Sequence, residues 1–304
     1  MDIDRRKFIS TTITIIGGIP LASLIHAKDD FEPVCFGMFT DSHYADREPL
    51  HSRHYRESLD KLSECVDLMN ELKVDFLIEL GDFKDQGDPP DEKETLRFLD
   101  TIEKGFCRFK GPHYHVLGNH DHDSITKGQF LNGISNSGFD RALPYYSFDT
   151  ASFHFVVLDA NYRPDGKAYG CGNFDWTSAF VPGRQLRWLE KDLAGTVKPT
   201  VVFIHQRLDI NQENRIYGPV NAAEVRKVLE DSGKVIIVFQ GHEHAGASGR
   251  INNIPYYTLR GMIEGSGPES NSYATVSIDR DLNINIKGYH RAVSDYLPPV
   301  SVPG

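Results

Sequence analysis

The chain has 304 residues, 39% of them hydrophobic and 25% charged, enough for one large domain with a sizeable core. A formal net charge of −10 disfavours a surface built to release counterions from phosphate backbones, so no nucleic acid is expected as a partner, while a local basic pocket for one small phosphate stays open. Four cysteines, at 35, 65, 107 and 171, show no CxxC pairing and point to neither a zinc cage nor a dense disulfide framework.

In chain order, residues 1–30 read MDIDRRKFISTTITIIGGIPLASLIHAKDD: paired arginines, an apolar stretch from Phe8 to Ile25 diluted by Thr and Gly, then Ala27 before charge. Basic, apolar and small residues in that order make an export signal, and the stretch is short and polar for a membrane span. DRRKFIS resembles the twin-arginine signal of bacteria. That resemblance implies a signal over residues 1–27, no stable membrane span after its cleavage, and a periplasmic or secreted product. An uncleaved membrane anchor is the alternative reading.

From residue 34 onward, apolar runs rich in β-branched and aromatic residues alternate with segments of helical period, which predicts α/β architecture. Strands are expected at 34–40, 75–80, 113–118, 153–159, 200–205 and 234–241, and helices at 53–72, 92–104, 184–194 and 222–232. In the first helix Leu59, Leu62, Val66 and Met69 share one face. Cys35 and Cys65 fall in these apolar patterns and read as buried free thiols. After Gly249 the pattern turns to alternation and turn residues, as in antiparallel strands. We read residues 28–294 as one domain and DYLPPVSVPG (295–304) as a loose tail. Two long irregular stretches, 121–144 and 160–183, are candidates for a substrate rim.

The residues at the carboxyl end of each apolar run carry the chemistry. The runs end in DSH (41–43), GD (81–82), GNHD (118–121), His205 and GHEH (241–244). In open α/β sheets ligands bind beyond the carboxyl ends of strands, so these side chains should converge. Asp, His and Asn together suit divalent Mn, Fe, Zn or Co. Glycines 81, 118 and 241 just before them permit sharp turns and close approach.

The set D-x-H, G-D, G-N-H-D, a lone His and G-H-x-H, in this order over residues 34–249, resembles the calcineurin-like metallophosphoesterases. The resemblance implies a four-layer αββα sandwich of two mixed β-sheets flanked by helices. It also implies two divalent metal ions, one held by Asp41, His43, Asp82 and His244, the other by Asp82, Asn119, His205 and His242. Asp82 would bridge them. Such a pair clamps a phosphate, acidifies a bound water and stabilises entering and leaving oxygens. His120 would stay unligated and protonate the leaving oxygen. GDFKDQG (81–87) resembles the G-D-x-x-D-x-G of phosphoprotein phosphatases, which makes Asp85 the candidate partner of His120, with Asp121 the local alternative. His122 and Asp123 have no counterpart in the motif and default to the loop. The remaining histidines, at 51, 54, 113, 115, 154 and 290, read as surface or satisfied core groups.

Departures narrow the reaction. Asp85 stands where purple acid phosphatases carry an iron-binding Tyr, so a Tyr-ligated ferric site is not expected. DSHYAD with RHYRESLDKL resembles the manganese-dependent ADP-ribose/CDP-alcohol diphosphatases, although Tyr44 to Asp46 also read as a turn and Tyr55 with Arg56 as packing and surface charge. Asn119, Arg207 and Arg215 are substrate-binding candidates, since an Arg can pair with a second phosphate. Tyr169, Phe174, Trp176 and Tyr217 are candidate rim aromatics, and rim residues packing on one another is the competing reading, for which Arg260 and Glu264 also qualify. The expected function is hydrolysis of phosphate esters or pyrophosphates of small molecules, with nucleotide diphosphates the narrower alternative. A metal-binding envelope module without catalysis is the alternative of another class.

Overall fold

Continuous runs of β-branched and aromatic residues are stable as strands where both faces of a sheet are covered, and the chain meets that condition twice. The computed structural model describes residues 31–299 apart from 151 and 174. The export signal read from residues 1–27, Phe174 and residues 300–304 lie outside the described residues. In the first sheet β1 (Val34–Phe39), β2 (Phe76–Glu79) and β3 (His113–His115) run parallel. In the second are β4 (Tyr146–Asp149), β5 (His154–Leu158), β6 (Thr200–Ile204), β7 (Val235–Gln240), β8 (Ala247–Ile251) and β9 (Ile254–Thr258). The chain then returns to the first sheet with β10 (Ser272–Ile278), β11 (Ile284–His290) and β12 (Asp295–Leu297). Strand orders are β12-β11-β10-β1-β2-β3 and β4-β5-β6-β7-β9-β8. Both sheets are mixed: β10 to β12 are antiparallel additions to the first, β4 and β8 to the second.

Helices α1 (Ser58–Leu72), α2 (Glu92–Phe106) and α3 (Lys127–Gly133) cover the first sheet, where Leu62, Met69, Phe98, Ile102 and Phe130 pack with Phe39 and Leu77. Helices α4 (Gly183–Gly195) and α5 (Ala222–Ser232) cover the second through Leu189, Leu193, Val225 and Leu229. The sheets meet through aromatic rings. Phe36 stacks on Phe76 at 4.7 Å and presents its ring at 84–85° to Phe155, Phe203 and Phe239 of the opposite sheet. Each such pair contributes about 0.5–1.5 kcal/mol beyond burial. The result is the αββα sandwich.

Three expectations need correction. The stretch 121–144 is not all irregular: α3 lies inside it, opened by a capping box of Thr126 and Gln129. Seven residues are too few for a helical period, but T-x-x-Q was the signal that could have found it. The segment read as a loose tail begins with β12, whose Asp295 to Leu297 pair with Ile286 to Ile284. Cys35 is exposed, because the pleat turns it away from the inter-sheet core, whereas Cys65 is buried as expected. All four cysteines are free thiols. No helix among the described residues is long and apolar enough to cross a membrane.

Candidate metal centre

The carboxyl ends of β1, β2, β6 and β7 and the segment after β3 converge as expected, at a cost in backbone strain. Asp41, His43, Asp82 and His242 all sit at positive φ, between 46° and 69°. For non-glycine residues that conformation costs about 1 kcal/mol or more each, so the surroundings must impose it. Two glycines make the geometry feasible. Gly81 adopts φ +102°, and a Cβ at Gly118 would overlap the amide nitrogen and Oδ1 of Asp82. Asp121 then holds the turn: its carboxylate accepts from the backbone N–H groups of Gly118, Asp82, Phe83 and Lys84 at 2.7–3.3 Å.

Two groups of donors result. In one, the Nε2 atoms of His43 and His244 are 3.1 Å apart, with Asp41 Oδ1 3.7 and 3.3 Å from them. The other contains Asp82, His205 and His242. Asp82 Oδ2 lies between the groups, 3.5 Å from His43 Nε2 and 3.2 Å from His205 Nε2. Asp41 Oδ1, both amide atoms of Asn119, and Nε2 of His205 and His242 are buried without hydrogen-bond partners. Unpaired buried polar atoms are costly, and a cation among the oxygen and ring-nitrogen acceptors of this set would satisfy them. Nitrogen and oxygen donors at this spacing, with no sulfur, fit divalent cations.

The far side of three of the rings is anchored, which aims their Nε2 inward. His43 Nδ1 lies 3.3 Å from Asp85 Oδ2, His244 Nδ1 bonds Glu264 Oε1 at 2.6 Å, and His205 Nδ1 donates to the Leu80 carbonyl at 2.9 Å. Asp41 Oδ2 accepts from the His242 N–H and Thr40 Oγ1, leaving Oδ1 for the cluster. Where no cation is bound the buried carboxylates draw protons onto the imidazoles, so metal loading here displaces protons. Burial would lower His205, yet Asp82 and Asp41 hold it up at about 10, while burial and then His205 push His242 down to about 3. Burial opposes the charge on Asp82 as well, but His205, His120 and His43 hold its carboxyl well below the usual range.

Beside the donors lies His120, whose Nδ1 is 3.4 Å from Asp85 Oδ1. One carboxylate thus backs both His43 and His120. Burial would lower the His120 imidazole, but Asp85 and Asp82 outweigh it and hold its pKa up at about 9. Asp121, the alternative partner, is committed to the backbone amides. His122 and Asp123 are not loop bystanders: the 3-10 turn at His120–His122 directs both inward, His122 edge-on to Phe130 and Asp123 onto the buried Lys84 ammonium, which also bonds the His120 carbonyl.

A cavity of about 550 Å³ opens over the cluster, lined by Arg53, Asp82, Asn119, His120, Trp176, Tyr217 and His242 to Ala245. Neither Arg207 nor Arg215 lines it. The Arg207 guanidinium is spent on Asp209 and Glu243, and Arg215 faces a neighbouring groove with Asn211 and Arg226. Tyr169 is buried and donates to the Asp175 carbonyl. Tyr44 packs on Phe98 and Tyr55 lies under Arg47, in keeping with the packing alternative, while Arg56 is tied to Asp46 and Glu48 at the surface. Arg53, within 4.0 Å of Asp85, and Glu264 are the site residues the sequence reading missed or undervalued. Arg53 lies in the RHYRES segment already singled out, but nothing in its spacing marks it as inward-facing.

Strand ends of a double sheet that offer two cation-binding groups around one shared carboxylate, with the His120 imidazole alongside, define a two-metal hydrolase. The family model of the calcineurin-like phosphoesterases matches residues 36–246, and the chain belongs to that family. It is therefore a hydrolase of phosphoester bonds that uses divalent metal ions. It is 26% identical over 285 residues to the manganese-dependent ADP-ribose/CDP-alcohol diphosphatase of Oryza sativa subsp. japonica, covering 79% of this chain and 87% of that protein. The Arabidopsis thaliana protein of the same name is 24% identical over 251 residues, 69% and 80% of the two chains. A dimetal phosphatase from Danio rerio shares the fold, with TM-score 0.71 and 23% identity over 88% of this chain and 99% of that one.

Proposed function

We propose that the chain is an exported diphosphatase that, with manganese, cleaves the pyrophosphate of nucleotide-linked small molecules. The observation that carries this reading is the cavity itself: the cation-binding groups, Arg53 and His120 form its floor, and Trp176 and Tyr217, 6.2 Å apart, form an aromatic wall beside them. The names of the rice and Arabidopsis relatives support the same substrate class.

In this reading Asp41, His43, Asp82 and His244 hold one ion and Asp82, Asn119, His205 and His242 the other. When bound, the ions polarise phosphoryl oxygens and activate water. Arg53 supplies paired N–H donors to the second phosphate. Asp85 fixes the His120 ring through Nδ1, so the proton delivered to the leaving oxygen is the one on Nε2. Trp176 and Tyr217 offer faces for a base or sugar and narrow access of water to the leaving group.

The manganese-loaded protein should be assayed on ADP-ribose, CDP-glycerol, p-nitrophenyl phosphate and its bis-ester. We expect kcat/KM for the two diphosphates to exceed that for the monoester by about 10²-fold or more, the scale set by an unused polar site. Arg53→Ala should reduce the diphosphate rates by roughly 10–100-fold, the worth of a charged hydrogen bond, and barely change the monoester rate. A preference for the monoester, or no hydrolysis at all, would sink the proposal. Export rests on DRRKFIS alone, and a reporter fusion should lose translocation when Arg5 and Arg6 both become Lys. Undiminished export would remove that part.

A further inference from the structure

On the outer side of the first sheet, away from the cavity, three donors of different chemistry meet. Glu103 and Cys107 are four residues apart at the end of α2, which puts them on one helix face, and His113 opens β3 opposite them. Cys107 Sγ is 3.5 Å from Glu103 Oε1 and 3.8 Å from His113 Nε2. Tetrahedral zinc, with Zn–S near 2.3 Å and Zn–N or Zn–O near 2.0–2.1 Å, spaces its ligand atoms by roughly 3.3–3.6 Å. The sulfur-to-carboxylate distance falls in that range, the sulfur-to-imidazole distance is slightly longer, and all three donor atoms lie within 4.8 Å of one another.

Two neighbours complete the picture. Ser135 Oγ is 3.2 Å from both His113 Nε2 and Glu103 Oε1, at the edge of the fourth corner. The other carboxylate oxygen of Glu103 is 3.0 Å from His115 Nε2, and His115 is backed in turn by Glu79. That buried chain fixes the carboxylate as an outer partner fixes a metal ligand. The donor set also differs in kind from the cavity: thiolate with imidazole and carboxylate favours zinc over manganese or magnesium.

We propose that Glu103, Cys107 and His113 bind a zinc ion that ties the end of α2 to the edge strand β3. Without a cation, burial and the Glu103 carboxylate push the Cys107 thiol up to about 11, so loading the site releases a proton. Cys107 is exposed, which gives the ion a route in from solvent.

Full-length protein stripped by a chelator and titrated with Co²⁺ tests this. We expect about three ions per chain and a thiolate-to-cobalt charge-transfer band in the near ultraviolet. The cavity has no sulfur donor, so that band reports the triad. Cys107→Ser should lose the band and one ion while keeping the other two and hydrolysis. His113→Gln, which retains the sulfur, should lose the band as well. No band in the unaltered protein, its persistence in Cys107→Ser, or a full band in His113→Gln would overturn the assignment.

Discussion

Replacing His120 by Asn is expected to reduce kcat by about 10²–10⁴-fold, the usual worth of a positioned general acid, with both metal ions still bound. The expectation rests on what His120 does not share. Its ring is held by Asp85 beside the donor groups, and its backbone N–H donates to Asp82 Oδ1 at 2.7 Å, a bond that survives the substitution. Metal content should therefore match the unaltered protein while turnover collapses. Asp85→Asn should fall between the two, since it loosens His120 but also removes the carboxylate 3.3 Å from His43 Nδ1. The loss should also depend on the leaving group. A substrate that departs as a weak base, such as p-nitrophenolate, needs little protonation and should be the least affected. Unchanged kcat on ADP-ribose in a His120→Asn protein of normal metal content would eliminate the acid role.

Asp82→Asn should have the larger effect, because one carboxylate serves both groups. Its Oδ2 is within 3.5 Å of both His43 Nε2 and His205 Nε2, and the neutral amide can neither bridge two cations nor balance their charge. Loss of an outer partner of a metal ligand costs roughly 10–100-fold in affinity, and loss of a shared ligand should cost more. The cavity should retain at most one tightly bound ion, with activity down by about 10³-fold or more. The fold should survive, since the Gly118 approach and the Asp121 bonds to the backbone do not involve the altered oxygen. In the unaltered protein a chelator should abolish activity and Mn²⁺ should restore it; in Asp82→Asn restoration should fail. Both cavity ions retained with normal activity would contradict the bridging role.

The donor side chains of the cluster were legible because each comes directly after an apolar run: a strand that is buried on both faces must end where the chain turns to polar residues. Five such ends in order are hard to produce without a common crevice. Residues that act from behind were harder to see. Asp85 was found through the GDxxD likeness, but Glu264 sits beyond β9, more than two hundred residues from Asp41, and only the crossover of the second sheet brings it to His244. Arg207 shows the opposite failure. Next to a predicted ligand it read as a phosphate clamp, yet Asp209, two residues on, and Glu243 neutralise its guanidinium.

The sequence by itself determined the α/β alternation, the donor set and its order, since these arise from local burial period and from side-chain chemistry. Tertiary structure decided which nitrogen of each imidazole faces inward, that Asp121 holds the backbone while Asp85 holds His120, and that Arg53 rather than Arg207 lines the cavity. The physical reason is range. Periodicity and turn chemistry act over a few residues, whereas an imidazole's aim or an arginine's availability depends on which carboxylate packing brings within about 3 Å of it.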